Sequence, residues 1–81
     1  MISAAQLRAG RHLLGMSQAE IAQATGLSLP TVKRAESDRD VSVSAEAVAA
    51  IRAALEAAGV LFIDQNGHGP GVRLRDRTAG A

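Results

Sequence analysis

The side chains able to do chemistry in this sequence are mainly cationic, and they are grouped. Lys33, Arg34 and Arg39 lie close together, and Arg73, Arg75 and Arg77 alternate near the C-terminus. Acidic residues are mixed among them, so the formal net charge is only +1 and the distribution says more than the sum. Cations clustered in this way attract the phosphate oxygens of a nucleic acid. With one phenylalanine and no tryptophan or tyrosine, stacking on single-stranded bases is excluded, so a nucleic-acid partner would be a duplex. Other chemistries find little support. The absence of cysteine excludes a disulfide and a cysteine-based metal site. His12 and His68 are far apart with no ligand spacing around them, and read as a surface residue and a turn residue. There is no nucleophile–base pair, metal motif or phosphate-binding loop. The expectation is a binding protein, not an enzyme, with no metal, cofactor or small-molecule ligand.

The elements that must position these cations are short. The chain has 81 residues, enough for one small domain that buries little more than half of its unfolded surface. Ser3 and Gln6 have capping-box spacing, which starts a helix whose stripe is Ala4, Leu7 and Leu14 and whose end is Gly15. Ser17 and Glu20 repeat the pattern and open a helix over Gln18 to Ala24, with Ile21, Ala22 and Ala19 as inward candidates and Gly26 closing it. Ser28 caps a third helix through Glu36, with Pro30 in the first turn and only Val32 and Ala35 apolar enough for the core. Residues 37–43 read as a loop. Ser44 or Ser42 caps a fourth helix to about Ala58, along which Val48, Ile51 and Leu55 recur at helical period. Val60 to Ile63 and Val72 to Arg75 read as strands, and Asn66-Gly67 between them as a hairpin turn. The fold class is therefore mainly α, four short helices followed by a C-terminal β-hairpin. The expected divisions are 1–59 for the helical unit, 60–77 for the hairpin and 78–81 for a frayed tail.

The second and third helices are separated by Thr25-Gly26-Leu27. Gly26 allows a tight backbone, Leu27 can fold inward between the helices, and Ala22 is small enough for a close crossing. This rigid corner would push the third helix outward, where its exposed face can enter a major groove. The stretch MSQAEIAQATGLSLPTVKRAES resembles the Cro/λ-repressor-like (Xre-type) family of bacterial and phage regulators. Ser17, Gln18, Ala22, Gly26, Ser28, Val32 and Glu36 stand at the family's pattern positions, and the resemblance covers about residues 3–58.

The resemblance implies a role for each matching position. Ser17, Gln18 and Ser28 would face phosphates at the helix starts, with Gln18 also bracing the recognition helix. Leu29, Pro30, Thr31 and Arg34 would read bases, Arg34 by a bidentate contact to guanine and the apolar groups against thymine methyls. Lys33 and Arg39 would meet phosphates. Arg11 and Glu36 would form a structural ion pair tying the third helix to the first. The apolar start of the reading face departs from the polar residues more common in the family.

Leu61, Phe62, Ile63, Val72 and Leu74 are a heavy apolar load for a hairpin that is marginal alone in water. Such a hairpin must pack on the helices or on a second copy. The reading adopted is a homodimerisation element, helped by the alanine-rich fourth helix, presenting two recognition helices to a palindromic duplex. Arg73, Arg75 and Arg77 read as a solvated strand edge in preference to a DNA-reaching arm. The function expected is a sequence-specific transcriptional regulator, a repressor. The alternative is a protein-interaction module such as an antitoxin or anti-activator, against which Lys33 and Arg34 on the third helix weigh. With no apolar run of membrane-spanning length and no leader pattern at the N-terminus, a cytoplasmic location is expected.

Overall fold

A computed structural model describes residues 2–64 and 69–75. Four helices, α1 (Ala4–Leu13), α2 (Gln18–Thr25), α3 (Leu29–Ala35) and α4 (Ala45–Ala57), precede a two-stranded antiparallel sheet of β1 (Val60–Ile63) and β2 (Gly71–Leu74). The element order matches the sequence-based expectation, with small shifts at the ends. α2 runs one residue further, to Thr25. Glu36 is the C-cap of α3, and β2 begins at Gly71. The Asn66-Gly67 turn, His68, Arg77 and the 78–81 tail lie outside the described residues. No described helix is long and apolar enough to cross a membrane.

Each helix starts on a serine whose hydroxyl accepts the amide three residues on, which satisfies one of the orphan donors at a helix start. Ser3–Gln6 and Ser17–Glu20 form full capping boxes. At α4 the cap is Ser44.

The core is built from every element. Leu7, Ile21, Val32, Ile51, Leu55 and Val60 are completely buried, joined by Ile2, Ala35, Val48 and Phe62. Ala19 faces solvent instead. The sheet lies against α1 and α4, and at Gly10 the approach is close: a Cβ there would stand 3.3 Å from both Phe62 Cζ and Val60 Cγ1. The register pairs Val60 with Leu74, Leu61 with Arg73, Phe62 with Val72 and Ile63 with Gly71. Directly paired residues share a face, so Phe62 and Val72 look towards the helices while Leu61 and Ile63 look outward.

This corrects the expectation that all five hairpin apolar residues serve dimerisation. Phe62 is a core residue of its own chain and Val72 packs partly against that core, leaving Leu61, Ile63 and Leu74 exposed. The division at residue 59 is likewise no boundary in the packing. The buried Gln6 side chain bonds across it, Nε2 donating to Ile63 O and Gly71 O at 3.1 Å each while Oε1 accepts from Ser3 N. At the other end of the sheet, Arg75 N donates to Gly59 O and Arg75 Nη1 to Glu56 O.

Candidate nucleic-acid interface

α2 and α3 meet at a three-residue corner whose geometry comes from local chemistry. Gly26 sits in the left-handed region at φ 77°, where a side chain would be strained, and its amide donates to Ala22 O. Thr25 Oγ1 donates to Ile21 O at 2.8 Å and accepts from Leu27 N at 3.2 Å, so the chain turns without losing its polar partners. Leu27 is half-buried and packs on the core beside Ala22.

α3 has seven residues and two unlike faces. Val32 and Ala35 are buried, whereas Leu29, Pro30, Lys33 and Arg34 are exposed. Thr31 is half-buried; its hydroxyl hydrogen-bonds to Ser28 Oγ at 2.8 Å and accepts from Arg34 Nη2 at 3.3 Å. These contacts hold Ser28, Thr31 and Arg34 in one row along the outward side of the helix start. Leu29 and Pro30 add an apolar surface beside that row.

The inward end of α3 is held by a buried polar network. Glu36, 3% exposed, accepts from Arg11 Nε at 2.9 and 3.1 Å, from Arg11 Nη2 at 2.9 Å and from Gln18 Nε2 at 3.1 Å. The remaining Arg11 nitrogen, Nη1, donates to Met16 O. One carboxylate thus joins the ends of α1, α2 and α3 to the turn after α1, and no buried side-chain polar atom lacks a partner among the described residues. The arrangement sharpens the reading of Gln18. Its amide is turned inward to Glu36, so one of its two N–H donors is already committed to bracing α3. Ser17 Oγ and Ser28 Oγ are engaged as caps, each accepting a backbone amide.

Arg8 has no sequence signal of its own beyond its place three residues before Arg11, on the same side of α1. Its Nη1 donates to Glu36 O at 2.6 Å and to Asp38 Oδ1 at 2.8 Å. Charge is therefore unevenly disposed. Among the described residues Arg8, Arg11 and Arg52 are paired with Asp38, Glu36 and Glu56. Lys33, Arg34, Arg39, Arg73 and Arg75 make no salt bridge with a described carboxylate, and three of these five lie on α3 or just after it. Arg52 also stands 5.7 Å from the Phe62 ring centroid, and Arg75 caps the α4 carbonyl of Glu56. Among the described residues, α3 and the segment just after it thus present three of the five cations that have no carboxylate partner.

A family profile described as a helix-turn-helix domain matches residues 4–62. The chain belongs to that family. Comparison with curated proteins gave no match. In a helix-turn-helix domain the second helix of the pair enters the major groove of DNA while the first crosses the backbone. α2 and α3 are that pair here. The match runs from the start of α1 into β1, so the whole helical core belongs to the helix-turn-helix domain, whereas β2 lies beyond it.

Proposed function

We propose that this chain is a sequence-specific transcriptional regulator that represses by occupying a palindromic operator as a homodimer, in the manner of the Xre-type regulators it resembles. The observation that carries the reading is the split character of α3, with Val32, Ala35 and Glu36 locked inward and Lys33 and Arg34 left exposed without carboxylate partners. A helix seven residues long has no other surface to offer. Arg34, Thr31, Leu29 and Pro30 read bases. Lys33, Arg39, Ser17, Ser28 and the free amide hydrogen of Gln18 contact phosphates.

The short reading helix and few free cations make one copy a weak binder, which is the argument for two. Leu61 and Ile63, 36 and 40% exposed on the outward face of β1, supply an apolar contact on the hairpin that does not disturb the core, with Leu74, 40% exposed, at the edge of the opposite face. A chain cut at Gly59 would lose Val60 and Phe62 from that core, so point changes are the appropriate test of self-association.

Selection of bound sequences from random duplex DNA, followed by gel shift with wild type and Arg34→Ala, tests the proposal. A two-fold symmetric consensus that Arg34→Ala no longer discriminates is expected. Absence of any enriched duplex with the wild type would overturn it in favour of a protein-interaction role.

A further inference from the structure

α3 ends at Glu36, and the chain must then be led to Arg39 without slack if that side chain is to work beside Lys33 and Arg34. Ser37 Oγ accepts from Arg39 N at 3.0 Å, and Arg39 O accepts from Val41 N at 2.8 Å, so the segment has its own turns. Ser37 N also donates to Arg34 O at 3.1 Å, so these turns join the segment to α3 itself but not to a second helix. The attachment to a second helix comes from α1, where the single nitrogen Arg8 Nη1 bonds both the carbonyl of the C-cap Glu36 and the carboxylate of Asp38. A guanidinium at a helix C-terminus is favourably placed against the orphan carbonyls and the negative end of the helix dipole. The same contact sets a positive charge against Asp38, the residue that precedes Arg39 in the chain.

We infer that Arg8 and Asp38 are positioning residues of the DNA interface, which hold the post-α3 segment so that Arg39 meets a phosphate without themselves touching DNA. The inference rests on the DNA-binding reading above. It makes the value of Arg39 conditional. With the tether intact, Arg39 is presented on a fixed backbone, and its contact is a charge-assisted hydrogen bond. Without the tether, the segment must be ordered on binding, and Asp38 is released to compete with phosphate for Arg39.

The experiment measures duplex Kd for the full chain, using the sequence recovered by random-DNA selection, and reads the fold-change produced by Arg39→Ala in three backgrounds. In the wild-type background the change should weaken binding about tenfold, the size expected for one hydrogen bond to a charged group. In Arg8→Met, which keeps an apolar stem of similar length, it should weaken binding less than about twofold. The same reduction is expected in Asp38→Asn, which alters a carboxylate that is 78% exposed and so guards against misfolding of the first variant. Comparing Arg39→Ala within each background removes any general effect of stability or net charge. An equal cost of Arg39→Ala in all three backgrounds overturns the inference, as does no cost in the wild type. If selection enriches no duplex, the DNA-binding reading itself fails and the inference falls with it.

Discussion

Removing one partner of the Arg11–Glu36 pair should be among the most damaging single changes in this protein, and the two partners should not be equivalent. Glu36 has a carboxylate 2% exposed that accepts four hydrogen bonds from two side chains, while the Arg11 side chain is 11% exposed. Breaking a buried pair typically costs about 3–5 kcal/mol, because it leaves a charge without compensation. A chain of 81 residues has a total stability on the order of 4–12 kcal/mol, so the loss is a large fraction of the whole. Arg11→Met strands the carboxylate at the end of α3, where the short side chain cannot reach water, and should lie at the upper end of the range. Glu36→Leu leaves a long guanidinium stem that can swing towards solvent, and should lie at the lower end. In urea melts followed by far-UV circular dichroism, both midpoints should fall sharply with unchanged slopes. Because the pair is buried, added salt should change the loss little. The double variant Arg11→Met/Glu36→Leu should recover much of the stability, since two apolar groups leave no orphan charge. Single losses below about 1 kcal/mol, or a double loss equal to the sum of the singles, would refute the view that this network ties the recognition helix to its scaffold.

Three further outcomes are expected from the packing and charge distribution. Lys33→Ala should weaken duplex binding by a similar factor for every sequence and lower the salt slope by about one, whereas Arg34→Ala should cost about 1–3 kcal/mol of discrimination at one base position; titrations at several salt concentrations separate the two. Gly10→Ala gains helix propensity of about 1 kcal/mol but drives a methyl to 3.3 Å from Phe62 and Val60, both locked in the core, so thermal denaturation should show a net loss rather than the usual gain. Phe62→Ala should cost about 3–5 kcal/mol of folding stability, while Leu61→Glu, on the opposite face of the same strand, should leave folding nearly unchanged and dissociate the proposed homodimer in sedimentation; a stable dimer in Leu61→Glu would remove the hairpin from the proposed interface.

The elements themselves were legible in the amino-acid order because their determinants are local. A serine followed three residues later by glutamine or glutamate satisfies helix-start amides within one turn, and Ser3–Gln6 and Ser17–Glu20 both do so. Gly26 marks the corner for an equally local reason, and Val48, Ile51 and Leu55 fall on one helix face by period alone. The split of α3 was readable too, since Val32 and Ala35 are the only apolar residues in its second half.

What only the tertiary structure decided involves groups with more than one eligible partner. Gln6 reads as a cap through its side-chain oxygen, but its amide nitrogen has two N–H donors besides, and only the return of the hairpin supplied Ile63 and Gly71 as their acceptors. Arg8 carries no sequence signal for its partners, which exist only once the end of α3 comes within reach. Val60 to Ile63 is apolar at every position, so alternation carries no signal for which residues face inward; the cross-strand register and the space above Gly10 choose Val60 and Phe62. Local hydrogen bonding and periodicity thus determine where the helices, the strands and the exposed face of α3 lie along the chain. The partners of Gln6, Arg8 and Gln18, and the direction of Phe62, depend on contacts between residues distant in sequence, which no short pattern encodes.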